Sequence, residues 1–137
     1  MSRAFPEITS LEVREEVSHE AMTSSIALPF PPSTNRLWRV VDGRAICSKS
    51  YREWIEAAGA ELMSQRPRKH QGPVAVSIRV GMPDGRKRDL DNLQKACLDL
   101  LCRHGVIEDD HSEILRDLSI SVGEGFVGAR VEVRALS

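Results

Sequence analysis

Residues 74–110 read VAVSIRVGMPDGRKRDLDNLQKACLDLLCRHGVIEDD, and the changes of pattern inside this stretch decide how the chain folds. Val74, Val76, Ile78 and Val80 alternate with Ala75, Ser77 and Arg79, the period of two that marks a half-buried strand. Pro83-Asp84-Gly85 breaks the strand. A helix follows from near Asp91 and buries Leu93, Cys97, Leu100 and Leu101, and Gly105 stops it in the position after the cap that glycine often takes. Val106-Ile107 then leads into the acidic turn Glu108-Asp109-Asp110.

Working outward, the spacing predicts further strands on both sides. Ser25 to Leu28 is a short apolar strand stopped by Pro29, and Phe30-Pro31-Pro32-Ser33-Thr34-Asn35 is a rigid extended segment. Leu37–Val41 and Ala45–Cys47 flank Asp42-Gly43, a strong hairpin signal. Ser50 with Glu53 fits a capping box for a helix carrying Tyr51, Trp54, Ile55, Ala58 and Leu62, which ends before Pro67. Toward the other end, Leu118-Ile120-Val122 and Val127-Ala129-Val131-Val133 read as strands joined by a hairpin at Gly123-Glu124-Gly125. The order β-β-β-α-β-α-β-β defines an α+β fold, a mixed sheet of about five strands with two helices on one face. Residues 1–22 are polar and acidic and form an amino-terminal extension, read as a mobile arm; residues 23–137 form the domain.

Composition narrows the class. The chain has 137 residues, 41% of them hydrophobic and 28% charged, which suits one globular domain with an aliphatic core. No apolar run approaches a membrane span, and the acidic beginning does not fit a secretory signal. Cys47, Cys97 and Cys102 form neither a disulfide framework nor a C-x-x-C zinc pattern, so a reducing, cytoplasmic setting is expected. The net charge of −1 hides an asymmetry: residues 1–22 carry −3 and the remainder +2, with the basic set mostly arginine.

The chemistry concentrates in residues 82–110. Asp89 and Asp91 are two apart, so in extended chain both point the same way. Lys95 lies four residues beyond Asp91, one helical turn along the same face. A helix of about 15 residues, roughly 20 Å long, would then carry the chain away, and its return would bring Asp109 and Asp110 back toward the helix start. Carboxylates that converge repel one another, and a divalent cation such as Mg²⁺ removes the difficulty, held by hard oxygens, waters and substrate phosphates. Arg86-Lys87-Arg88 precede the acids. Carboxylates for metal beside cations for phosphate point to a metal-dependent nuclease. The same residues also fit a plainer reading: a capping box at Asp91 and Gln94, an Asp91–Lys95 helical ion pair, and a solvated turn at Asp109-Asp110.

The run MPDGRKRDLDNLQKACLDLL followed by GVIEDD closely resembles the RusA family of Holliday-junction resolvases, small phage- and prophage-associated endonucleases of DNA recombination and repair. The upstream IALPFPPSTNRLWR is similar to that family's opening strand and proline-rich turn, so the resemblance covers about residues 24–135. It implies a RusA-like homodimer that uses Mg²⁺, with Mn²⁺ as a substitute, to nick opposite strands of a four-way DNA junction. It also implies an active site of Asp89, Asp91, Lys95 and Asp110, with Asp109 beside the last. Arg86, Lys87 and Arg88 would contact phosphates, as would Arg36 and Arg39 around Trp38 and the basic loop Arg68-Lys69. Residues 1–22 have no counterpart in the family pattern, and Gly85 and Lys87 stand where the family tends to have arginine. Two rival functions fit the same residues: a junction-binding protein that does not cut, and a small-molecule phosphohydrolase whose binding would be insensitive to salt. Trp54 belongs to the core, His104 to a helix C-terminus and His111 to a surface turn.

Overall fold

The computed structural model describes residues 22–136. The expected amino-terminal arm, apart from Met22, therefore lies outside the described residues. Strand β1 (Thr23–Leu28) is followed by the hairpin β2 (Trp38–Val41) and β3 (Arg44–Cys47), then helix α1 (Lys49–Gln65) and strand β4 (Val74–Gly81). Helix α2 (Gln94–Arg103), strand β5 (Leu115–Val122) and strand β6 (Gly128–Ala135) complete the order expected from the sequence. The strands form a four-stranded sheet in the order β1-β6-β4-β5 and a separate two-stranded sheet, β2-β3. The larger sheet is mixed: β6 runs antiparallel to β1 and β4, while β4 and β5 are parallel.

The alternation in residues 74–80 does what a period of two requires. Val74, Val76, Ile78 and Val80 are buried, and Arg79 faces out. Their inward face joins Val131 and Val133 of β6, Tyr51, Trp54, Ala58 and Leu62 of α1, and Leu93, Cys97, Leu100 and Leu101 in one core. The hairpin turn also follows the sequence: Asp42 and Gly43 both have positive φ, 52° and 74°, matching the twist of a tight two-residue connection.

Several sequence expectations are corrected. The cap of α1 is Ser48, not Ser50; its hydroxyl oxygen accepts the Tyr51 N–H at 3.1 Å. Asp91 and Gln94 form no capping box, because residues Leu90–Leu93 make a 3₁₀ turn whose preceding residue, Asp89, gives no side-chain cap. The α-helix proper is therefore 10 residues long, shorter than expected. The proposed β5–β6 hairpin does not exist. β6 lies on the far side of β4, and residues 123–127 pass over the end of β4 to reach it. That crossing explains Gly81: a Cβ there would collide with the Phe126 carbonyl oxygen.

Two side chains tie the periphery to the sheet. The Gln65 amide accepts from the Ala27 N–H and donates to the Ala27 carbonyl, each at 2.7 Å, pairing the outer edge of β1 as a neighbouring strand would. His70, in the loop between α1 and β4, is buried, and its backbone N–H donates to the Val106 carbonyl. The Ser24 hydroxyl donates to the Arg68 carbonyl at 2.9 Å, so the His70 Nε2–H donates to the Ser24 oxygen, also at 2.9 Å. Burial, reinforced by Arg68, lowers the His70 pKa below the ordinary 6.5. His70 is thus neutral in the folded state while the unfolded chain protonates first, so its contribution is complete above the ordinary value and is lost as pH falls below it. The melting-temperature advantage of the wild type over His70→Gln should shrink between about pH 7.5 and about pH 5.5. A difference independent of pH in a thermal melt series would contradict this.

Candidate active site

β4 ends at Gly81, and the turn after it is organised by Asp84. Asp84 Oδ1 accepts the backbone N–H of Arg86 at 2.9 Å. Arg88 donates to both carboxylate oxygens, at 2.7 and 3.2 Å, and Arg86 Nε reaches Oδ2 at 3.3 Å. Arg88 also lies over the Phe30 ring, 5.1 Å from its centroid. The hydrogen bond from Arg88, followed by that from the Arg86 backbone, holds the Asp84 carboxyl well below the usual carboxylate range. Within Arg86-Lys87-Arg88, only Lys87 lacks an ion pair among the described residues.

This loop borders a groove of about 770 Å³ whose walls include Arg36, Arg86, Lys87, Arg88, Asp89 and Trp54. The structure therefore brings four of the nominated phosphate contacts to one place. Arg39 stands on the exposed hairpin outside the groove walls. Arg68 and Lys69 lie elsewhere, between α1 and β4, where Lys69 borders a depression of about 500 Å³ with Cys102 and Glu108. Trp54 is core, 8% exposed, with its indole N–H on the Pro29 carbonyl, whereas Trp38 is 57% exposed and meets Tyr51 edge to face.

The acidic residues after α2 return along the flank of the helix, between Cys102 in its last turn and the ammonium that Lys95 extends from its first. Val106 and Ile107 are fully buried and anchor the return, with the Val106 N–H on the Leu101 carbonyl. The carboxylates of Asp109 and Asp110 and the Cys102 thiol offer donor atoms within 4.8 Å of one another. Lys95 Nζ lies 3.6 Å from Asp110 and 3.1 Å from Asp99, so the helical partner of Lys95 is Asp99, one turn ahead, and not Asp91, one turn behind. Asp89 and Asp91 sit at the head of the 3₁₀ turn and belong to no shared donor group among the described residues. Their expected common orientation requires extended chain, which ends at Asp89.

Asp99 and Cys102 complete this cluster and were not singled out by the sequence reading as site residues. The spacing 95, 99, 102 along one helical face was the available signal for both. Asp99 also accepts from the Tyr51 hydroxyl at 3.5 Å. Hydrogen bonding to Asp99 raises the Lys95 pKa against the opposing effect of desolvation, with Asp110 adding to the rise. Burial, then the charges of Asp110, Asp109 and Asp99, push the Cys102 thiol up to about 11, so it is protonated near neutrality. The two carboxylates of the cluster are hard-oxygen donors of the kind that hold Mg²⁺ or Mn²⁺. His111 stays on the surface, where its Nδ1 accepts the Glu113 N–H, and His104 caps α2 with its ring against Gly59.

Carboxylates poised beside an ammonium, close in sequence to a cationic groove, define a protein built to handle phosphate esters. A family model described as Endodeoxyribonuclease RusA matches residues 29–134. The crossover junction endodeoxyribonuclease RusA of Escherichia coli K12 is 42% identical over 91 residues, covering 64% of this chain and 74% of that protein. The protein of the same name from Enterobacteria phage 82 is 42% identical over 97 residues, with the same coverage. The chain belongs to the RusA family of endodeoxyribonucleases.

Replacing Asp99 by Asn should lower the Lys95 ammonium pKa, because its nearer carboxylate is lost while Asp110 remains. A side-chain NMR titration of Lys95 checks this; an unchanged pKa would show that Asp99 does not govern the lysine.

Proposed function

We propose that this chain is a structure-selective endodeoxyribonuclease that resolves four-way DNA junctions by paired nicks, in recombination and repair. The observation that carries the reading is the cluster of Lys95 on α2 with Asp109 and Asp110 from the loop after it, in a chain of the endodeoxyribonuclease family whose basic groove opens beside the turn that precedes the same helix. The names of the relatives, including one from a phage, support four-way junctions as substrate and a prophage origin.

Asp89, Asp91 and Asp110, with Asp109 beside the last, are the residues that would hold a divalent cation, Mg²⁺ with Mn²⁺ as substitute. When bound, such a cation supplies water activation and charge neutralisation at the scissile phosphate. The chain's own groups do the rest. Lys95, held by Asp99 and Asp110, places a fixed positive charge where negative charge develops. Lys87 and Arg36 contact the DNA backbone from the groove and set register. A homodimer gives the paired nicks their logic, since two equivalent sites meet a near-symmetric junction. The projecting hairpin supports dimerisation: Trp38 and Val40 are 57% and 76% exposed, apolar surface that a second copy would cover. No described helix is long and apolar enough to cross a membrane.

Asp110→Asn and Asp91→Asn should each abolish nicking of a synthetic four-way junction while leaving junction affinity equal or higher, because a negative charge facing phosphates is removed. Wild-type nicking by either variant would remove that residue from the site. Lys95→Ala should slow single-turnover cleavage by about 10²–10³-fold with little change in affinity. Lys87→Ala should instead weaken binding and flatten the slope of log affinity against log salt by about one. Loss of affinity in Lys95→Ala with normal cutting once bound would make the lysine a DNA contact.

A further inference from the structure

The three consecutive cations ahead of the acidic residues are not equally available. Asp84 grips Arg88 through two hydrogen bonds, 2.7 and 3.2 Å, and reaches Arg86 through both its side chain and its backbone N–H. The guanidinium fork suits a carboxylate and a phosphate by the same geometry, two acceptor oxygens facing two N–H donors. An oxygen pair already seated on Arg88 therefore occupies the position a DNA phosphate would take. The Asp84 carboxylate is also anchored independently of the side chains it holds, since Oδ1 accepts the Arg86 backbone N–H across the Pro83-Asp84-Gly85 turn. It stays beside the groove whether or not the arginines turn away. Arg36 and Lys87, in the same groove, have no ion pair among the described residues.

We propose that Asp84 is a resident counter-ion that holds the place of a backbone phosphate on Arg88 and Arg86, and so restrains how tightly this chain grips DNA. This rests on the reading of the groove as a DNA-binding surface. An incoming phosphate must displace the carboxylate from the arginines and then lie near a negative charge that the backbone keeps in place. Binding therefore begins on Lys87 and Arg36, and the two arginines engage only where the DNA backbone comes close enough to outcompete Asp84. For an enzyme that must release its product, an internal limit on phosphate affinity favours turnover.

Asp84→Asn isolates the charge, because the Asn carbonyl can still accept the Arg86 N–H and keep the turn. Full-length wild type, Asp84→Asn and a control, Glu56→Gln on the exposed side of α1, would be compared. Dissociation constants for a labelled four-way junction and for linear duplex would be measured without divalent metal over a salt series. Elution from immobilised heparin, a sulfated polyanion, would be measured alongside. Asp84→Asn should bind both DNAs about three- to tenfold more tightly, with a salt slope steeper by about one, and should leave heparin at higher salt. Glu56→Gln should match the wild type. If Asp84→Asn binds DNA and heparin no better than wild type, or more weakly, the carboxylate organises the loop and the assignment is overturned. If wild type binds neither DNA but Asp84→Asn still leaves heparin later, the counter-ion stands and the DNA reading of the groove fails.

Discussion

The parallel pairing of β4 with β5 is the constraint on which the rest of the molecule depends. Two parallel neighbours cannot be joined by a tight turn; the chain must leave the end of one strand and travel back to the beginning of the other. In this chain residues 82–114 make that journey, and every residue of the acidic cluster, all of the basic triplet and Asp84 lie on it. The sheet positions the two ends of the connection, while α2 and the buried Val106-Ile107 fix its middle. Ligands of open sheets gather at the ends of such strands for the same reason: the connections there are free to carry chemistry because the strands already carry stability.

Electrostatics then distributes the work along the connection. Before α2, the connection lends Arg86, Lys87 and Arg88 to a groove wall they share with Arg36, where the cations outnumber Asp89; after it, Asp109 and Asp110 gather on the helix flank. Lys95 bridges the two regimes. Its long side chain carries a positive charge from the first turn of α2 into the acidic cluster, where it offsets the repulsion that Asp99 and Asp110 would otherwise suffer. Asp84 plays the converse part among the arginines. In each region an ion pair thus offsets the repulsion among like charges without substrate or metal.

Local patterns in the sequence made most of the elements legible. The strict alternation from Val74 to Val80, the Asp42-Gly43 turn and the stop at Gly105 each report a short-range steric or burial requirement, and each appears in the structure. What failed was longer range. Gly123-Glu124-Gly125 has the composition of a hairpin, but β6 pairs with β1 and β4 on both sides, so the loop spans the end of β4 instead. That choice depends on burying Val131 and Val133 between two strands, which no local signal reveals. The candidate site shows the same division. Lys95, Asp109 and Asp110 were legible as a group; Asp99 was missed because an ion pair toward Asp91 fits the helical spacing equally well. Only the return of residues 106–110 against the flank of α2 breaks that tie.

Whether this connection cuts branched DNA is tested most directly by mapping nicks on a synthetic four-way junction. Wild-type protein with Mg²⁺ should place paired, symmetry-related nicks in opposing strands near the branch point, with none in EDTA and none in a linear duplex of the same sequence. Binding without nicks in Mg²⁺ or Mn²⁺, or nicks scattered equally over linear duplex, would contradict it.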